Sequence, residues 1–266
     1  MTEKKRDFER RRRSAPAPEV EENEGQLEGR NALTEALKSG RTIDKVFIAA
    51  GETDRGLQRL AAQAKEAGAV VVPVDRRKLD AMSLSHSHQG VIALAAAREY
   101  FSIDDLLQEA ADRGENALLV ICDELSDPHN LGAILRSAEC AGAHGVIIPK
   151  RRSVGLTAVV AKASAGAVEY MKVARVTNIN AAIQELKEKG VWIFGTAAEG
   201  SIPMYQADLT GPTAIVIGSE GDGMSPLVRK NCDVTVHIPM KGKISSLNAS
   251  AAASILLYEA VRQRLQ

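Results

Sequence analysis

The sequence has few cysteines, few aromatic residues and no long hydrophobic run. Cys122, Cys140 and Cys232 are widely spaced and form no CxxC pair, so neither a disulfide framework nor a zinc site is predicted. Only 3% of the residues are aromatic, so aliphatic side chains must build the core. No apolar run approaches the ~18 residues that cross a bilayer, and the charged N-terminus lacks a signal-peptide core. We therefore expect a cytoplasmic protein without a membrane partner.

Charge is unevenly distributed, although the formal net charge is +0. Residues 1–13 carry seven basic and three acidic side chains, and residues 19–28 carry five glutamates and no basic residue. Pro16 and Pro18 lie between these runs, and apolar residues are almost absent. Such a segment cannot bury enough surface to fold, so a disordered charged arm is predicted over residues 1–24. It serves either to contact RNA phosphates or only to keep the protein soluble.

Strand and helix patterns alternate along the rest of the chain and predict an α/β fold. A small unit over residues 25–98 is followed by an amphipathic connecting segment over 99–116 and a larger unit over 117–266. In the larger unit, strands are predicted at 117–121, 145–148, 172–176, 191–196, 214–217 and 234–238. Helices are predicted at 131–141, 158–166, 179–189, 226–230 and 248–264. This order favours a mostly parallel sheet with helices on both faces, which binds ligands beyond the carboxyl ends of its strands.

A glycine-rich loop, Gly218–Gly223, follows one of these predicted strands. It matches neither the dinucleotide nor the Walker pattern, nor the nucleophile elbow of hydrolases, so those three classes are disfavoured. Glu220 is unusual in such a loop. Its carboxylate either takes part in chemistry or braces the loop.

Two further segments carry candidate polar residues. Asn130 precedes the predicted helix from Leu131, so it is either the helix N-cap or one of a polar pair with Arg136 that faces the ligand loops. Asn248 opens the last helix, which begins with small residues. These indicate either a tightly packed internal helix or the close approach of a ligand or a subunit. His86 and His88 have no acidic or cysteine partners nearby, so no metal is predicted.

Three blocks together resemble the SpoU-type (TrmH-like, SPOUT) family of RNA 2′-O-ribose methyltransferases. They are Asn130–Ala138, Ile217–Met224, and Ile238-Pro239-Met240 through Ser246–Ser250. The small unit is similar to the L30e-like RNA-binding domain found in the branch that methylates guanosine in 23S ribosomal RNA, and His88-Gln89-Gly90 also resembles that branch.

The resemblance implies a C-terminal trefoil knot, a homodimer, S-adenosylmethionine as cofactor and ribosomal RNA as substrate. It implies a reaction centre of Asn130, Arg136, Glu220 and Asn248. The positions that it implies for cofactor binding are Thr196, Ala197, Ala198, Gly218, Glu220, Gly223, Ile238, Met240, Ser246, Leu247 and Asn248. Because arginine stays protonated, we expect Arg136 to stabilise developing negative charge rather than accept a proton.

Three alternatives remain. A non-catalytic protein could use both units to brace ribosomal RNA, an oxidoreductase could bind a nucleotide, and a family member could act on transfer RNA. The basic clusters Arg76–Lys78 and Lys150–Arg152 are either RNA contacts or solvated surface. With so few aromatic residues, base stacking on aromatic rings is not expected to be the main mode of RNA recognition.

Overall fold

A computed structural model describes residues 25–51, 54–197, 201–244 and 246–265. The predicted arm over residues 1–24 lies outside the described residues, as does Ala198. Among the described residues, no helix is both long enough and apolar enough to cross a membrane.

The N-terminal unit is a four-stranded sheet, as far as its residues are described, with three helices. Its elements are β1 (Gln26–Glu28), α1 (Arg30–Lys38), β2 (Ile43–Ala49), α2 (Arg55–Glu66), β3 (Val70–Val74), α3 (Arg76–Met82) and β4 (Val91–Ala95). The strand order is β1-β4-β2-β3, and only β2 and β3 are parallel. The three-residue β1 was not predicted, because so short a run shows no alternation of polar and apolar residues.

Residues 99–116, predicted to connect the two units, contain helix α4 (Ile103–Arg113). Ser102 caps it in a capping box with Asp105. Ile103 and Leu106 are buried in the same apolar cluster as Leu119. The segment therefore contributes one face to the core of the larger unit.

The larger unit alternates strands with helices. Its elements are β5 (Leu118–Cys122), α5 (Pro128–Cys140), β6 (Gly145–Pro149), α6 (Ala158–Ala163), β7 (Val173–Val176), α7 (Ile179–Glu188), β8 (Trp192–Thr196), β9 (Ile202–Pro203), β10 (Thr213–Ile217), α8 (Pro226–Asn231), β11 (Val234–His237) and α9 (Ala249–Arg264), with 3₁₀ turns at Ala167–Glu169 and Met204–Gln206.

Its strands pair in parallel in the order β7-β6-β5-β10-β8-β11-β9. Side chains of a strand alternate between faces. Accordingly, Leu118 and Val120 pack in one buried cluster with α5 and α9, while Leu119 and Ile121 pack in another with α4 and α7. Helices thus cover both faces, as predicted. The carboxyl ends of β8, β10 and β11 lie side by side at one edge.

A buried ion cluster holds the two units together. The carboxylate of Glu169, whose side chain is 2% exposed, pairs with Arg41 at 3.2 Å and also with Arg98. Beside it, the Tyr170 hydroxyl donates to Glu35 at 2.7 Å. Because Arg41 and Glu35 belong to the small unit and Glu169 and Tyr170 to the large one, these contacts fix their relative position.

Candidate active site

The loops after β8, β10 and β11 surround a cavity of about 980 Å³. This size is within the range of sites for cofactors and other small ligands. Residues that line it are Thr196, Ala197, Ile217, Gly218, Ser219, Glu220, Gly221, Asp222, Gly223, Met224, Arg229, Val236, His237, Ile238, Pro239, Met240, Ser246, Leu247, Asn248, Ala249, Ala252 and Leu256.

Gly218 allows the glycine-rich loop to fold back against the end of β10. A Cβ atom at this position would lie 2.2 Å from the carbonyl carbon of Gly223 and 2.3 Å from the nitrogen of Met224. The backbones of Ser219 and Gly223 close the loop with two reciprocal hydrogen bonds, of 3.0 and 3.1 Å. The close approach explains why the position needs glycine.

Asp123 anchors the far end of this loop. It is 4% exposed and follows β5, and its Oδ2 accepts a hydrogen bond from the Ser225 nitrogen at 2.8 Å. Its own nitrogen donates to the Ile217 carbonyl at 2.8 Å. Asp123, directly after β5, thus contacts the chain on both sides of the glycine-rich loop, at Ile217 before it and at Ser225 after it.

The other two loops are tied to the sheet and to each other. The Thr196 hydroxyl donates to the Val216 carbonyl at 3.0 Å. Ser201 Oγ donates to the Ala197 carbonyl at 3.0 Å and lies 2.9 Å from His237 Nδ1. These contacts connect β8, β10 and β11 at the edge that lines the cavity.

Helix α5 begins three residues earlier than predicted, and this changes the role of Asn130. Asp127 is the N-cap, accepting from the His129 nitrogen at 2.9 Å, and Pro128 occupies the first turn. Asn130 therefore lies inside the helix, and it is 4% exposed. Its side chain is free of the capping role that the sequence suggested.

Asn130, Glu220 and Asn248 form a hydrogen-bonded cluster. Glu220 Oε1 accepts from Asn130 Nδ2 at 2.8 Å and from Asn248 Nδ2 at 2.6 Å. Asn248 Nδ2 also donates to Asn130 Oδ1 at 2.8 Å. Asn248 Oδ1 meanwhile caps α9 by accepting from the nitrogens of Ser250 and Ala251. Within the described part of the chain, no donor contacts Glu220 Oε2, so one carboxylate oxygen is available to a ligand.

Arg136, the fourth residue of the predicted reaction centre, does not join this cluster in the single chain. It is exposed on α5, and the described residues provide it with no hydrogen bond or ion pair. Six residues of helix turn Arg136 by about 120° from the direction of Asn130. The helical periodicity therefore explains why the two side chains face different ways.

Neither Cys122 nor Cys232 has the properties of a nucleophile. Burial, with a contribution from Asp123, raises the pKa of Cys122 to about 12. Burial and the nearby Asp233 raise the pKa of Cys232 to about 11. Both groups remain neutral thiols near pH 7, and a neutral thiol is a poor nucleophile. The residues that the structure describes contain no group of three or more His, Cys, Asp or Glu side chains that could hold a metal ion.

Every described residue that was predicted to bind the cofactor lines the cavity. The other lining residues were not predicted as cofactor positions; they are Ile217, Ser219, Gly221, Asp222, Met224, Arg229, Val236, His237, Pro239, Ala249, Ala252 and Leu256. Val236 and His237 end β11 next to the predicted Ile238, so the rule that ligands bind at strand ends could have identified them. Arg229 lies on α8, where no sequence signal singled it out.

Two family models match the chain. The SpoU rRNA methylase family matches residues 117–258, and a domain described as RNA 2′-O ribose methyltransferase substrate binding matches residues 26–101. A protein of Bacillus subtilis (strain 168) whose name places it in the TrmH family of tRNA/rRNA methyltransferases is 48% identical over 236 residues, which cover 89% of this chain and 94% of that protein.

Solved structures agree with this assignment. The SpoU methyltransferase AviRb from Streptomyces viridochromogenes, in complex with AdoMet, has a TM-score of 0.78 at 26% identity and covers 90% of each chain. An AdoMet-bound rRNA methyltransferase from Sinorhizobium meliloti has a TM-score of 0.73 at 25% identity, covering 91% of this chain and 88% of that one.

Proposed function

Because the chain belongs to the SpoU rRNA methylase family, we propose that it transfers a methyl group from S-adenosylmethionine to the ribose 2′-hydroxyl of a guanosine in 23S ribosomal RNA. The observation that carries this proposal is the cluster of Asn130, Glu220 and Asn248, two of whose members line the cavity. An enzyme acting on ribosomal RNA works where that RNA is, so we propose a cytoplasmic location.

The cavity suits the cofactor in size and in chemistry. It is bordered by the Gly218–Gly223 loop and by residues 238–240. A few polar groups in a largely apolar pocket are what orient a bound cofactor. Leu247 and Leu256 add apolar surface. When bound, S-adenosylmethionine supplies an electrophilic methyl group on a sulfonium, which needs no metal for its activation.

The chain's own residues position the ribose. Oε2 of Glu220 is available to accept a hydrogen bond from a ribose hydroxyl, since its Oε1 is occupied by the two amides. Asn130 and Asn248 in turn hold the carboxylate in one orientation. This preorganisation lowers the entropic cost of bringing the hydroxyl into line for displacement.

We propose that Arg136 completes the site of a partner subunit in a homodimer. Arg136 is exposed on α5, and α5 packs beside α9 through a hydrogen bond of 2.7 Å between Ser137 and Ser254. On α9, Ile255 and Tyr258 are 36% and 51% exposed. A second copy docking on this α5–α9 face would cover the apolar side chains and bring its reaction centre to Arg136. There the guanidinium would stabilise negative charge on the attacking oxygen.

The trefoil knot and the RNA-binding role of the small unit belong to the same proposal. The family resemblance supports the knot, although connections of this kind are rare among proteins. The match of residues 26–101 to the substrate-binding domain supports an RNA-binding small unit. Its L30e-like character is supported by the sequence resemblance.

Ribosomal RNA is preferred to transfer RNA because a structure named as an rRNA methyltransferase matches 91% of this chain, both units included. The B. subtilis relative, however, is named for both tRNA and rRNA. Transfer RNA is therefore the second candidate substrate.

The test is to incubate the protein with labelled S-adenosylmethionine and, separately, protein-free ribosomal RNA and transfer RNA. A 2′-O-methylated ribose cannot attack its own phosphate, so alkaline hydrolysis leaves one resistant bond at the modified nucleotide. A resistant bond after a guanosine of 23S ribosomal RNA is expected. Label only in transfer RNA would select the second candidate, and cofactor binding without label in any RNA would favour a non-catalytic protein.

A further inference from the structure

Residues 84–88 form a loop between α3 and β4 in the small unit. A buried carboxylate on β1 anchors this loop through hydrogen bonds. Glu28 on β1 is 0% exposed and accepts hydrogen bonds from Ser85 Oγ, from Ser83 Oγ at 2.7 Å, from the Leu84 nitrogen at 2.6 Å and from the Ser85 nitrogen at 3.1 Å. Burial alone would raise the pKa of Glu28, but these hydrogen bonds outweigh it and leave the pKa below its ordinary value. Glu28 is therefore a charged anchor for the loop.

The large unit holds the same loop from the other side. Lys162 on α6 donates to Ser85 Oγ at 3.1 Å and also to the Ser87 carbonyl. At the end of the loop, His88 is buried, with Nε2 2.9 Å from Asp80 and Nδ1 accepting from the Gly90 nitrogen at 3.0 Å. Contacts from both units thus fix the loop backbone.

One residue of this loop has a backbone conformation that residues other than glycine rarely adopt. His86 has a φ of 52°, in the left-handed region. Strain of this kind persists where the surroundings enforce it, and it is concentrated at functional sites. Two side chains of the loop are accessible to solvent. Leu84 is 46% exposed, and His86 is also exposed.

The 84–88 loop is connected to Asn130 of the reaction centre through helices α5 and α6. Lys162 lies on α6, and α6 packs closely against α5 at Gly132, where a Cβ atom would lie 2.4 Å from Ala163 Cβ. Gly132 is in the same helical turn as Asn130. Positioning of the loop therefore depends on a helix pair that also carries Asn130 of the reaction centre.

We propose that the 84–88 loop is a surface on which unpaired bases of the substrate RNA stack. An imidazole ring and an aliphatic side chain, both exposed on a rigid backbone, offer flat and apolar contacts to splayed bases. Lys162 and Glu28 are positioning residues that hold this surface. The inference rests on the proposed function, because it takes RNA as the substrate.

The test compares two variants in the small unit. The double variant Leu84→Ala, His86→Asn removes the apolar contact surface of Leu84 and the imidazole ring of His86. Asparagine tolerates the left-handed conformation at position 86. The matched control is Val70→Ala on the edge strand β3, where Val70 is 56% exposed. Methyl transfer to protein-free 23S ribosomal RNA, binding of that RNA to filters, and calorimetric binding of S-adenosylmethionine are measured for each.

The loop variant is expected to raise KM for the RNA about tenfold, the effect of losing a stacked base, with kcat and cofactor affinity unchanged. The positioning variant Lys162→Met should raise KM in the same direction. A KM for the loop variant equal to that of Val70→Ala would overturn the proposal. If the wild-type protein methylates no RNA, the proposed function fails, and filter binding alone then decides whether the loop contacts RNA.

Discussion

The side-chain amide of Asn248 donates to Oδ1 of Asn130 at 2.8 Å, although 118 residues separate them in the chain. Asn248 does this while its own Oδ1 caps α9. One asparagine therefore couples the start of the last helix to the start of α5. Its two functions can be separated by substitution.

Asn248→Ser should keep the helix cap and lose the amide, whereas Asn248→Ala should lose both. Serine caps helices about as well as asparagine, and loss of a cap costs about 1 kcal/mol. We expect both variants to lose methyl transfer and only Asn248→Ala to unfold at lower urea concentration. Normal kcat in Asn248→Ser would show that the amide has no part in the reaction.

Arg136→Ala should lower kcat for methyl transfer by about 100-fold or more, the usual effect of removing a group that stabilises developing charge. Binding of S-adenosylmethionine, measured by calorimetry, should change by no more than severalfold, because Arg136 does not line the cavity. Loss of cofactor binding with normal turnover per bound cofactor would contradict the role assigned to Arg136.

Mixing two inactive variants tests whether Arg136 acts across a dimer. Arg136→Ala and Asn248→Ala subunits, unfolded and refolded together, form mixed dimers in which one of the two sites has both residues intact. About a quarter of the wild-type rate should return if subunits pair at random in a symmetric dimer. If Arg136 served its own chain, no activity would return, and light scattering on the wild-type protein checks that a dimer exists.

Gly218→Ala should weaken binding of S-adenosylmethionine about tenfold, because the added methyl group would displace the loop and overpacking of this kind costs about 1–3 kcal/mol. The matched control is Gly211→Ala, since a Cβ atom there meets nothing within 4 Å. Calorimetry on both variants gives the comparison. Equal affinities would mean that the loop does not hold the cofactor.

Glu169→Ala should lower the free energy of unfolding by about 3 kcal/mol, since it leaves two buried guanidinium groups unpaired. Arg41 and Arg98 are only 10% and 15% exposed. Lys38→Ala breaks an exposed pair with Glu35 and should cost about 1 kcal/mol or less. Urea unfolding of the two variants makes the comparison, and equal losses would show that the ion cluster does not stabilise the interface.

The sequence by itself determined most elements of the fold, though not β1, β9 or α4, and it determined the loops of the candidate site. Periodic apolar residues predicted the alternation of strands and helices, because each element must bury one face. Glycine and small residues after strand-like runs indicated the cavity loops, and every described residue predicted for the cofactor lines the cavity. These signals are local, so they can be read from neighbouring residues.

The tertiary structure decided what depends on contacts between distant residues. The start of α5 at Pro128 moved Asn130 from a capping position to a partner of Glu220, and helical geometry turned Arg136 to another face. The contribution of α4 to the larger core and the anchoring of the 84–88 loop by Lys162 likewise arise from packing between segments far apart in the chain. No local pattern encodes such contacts, because they depend on how the strands are ordered in the sheets.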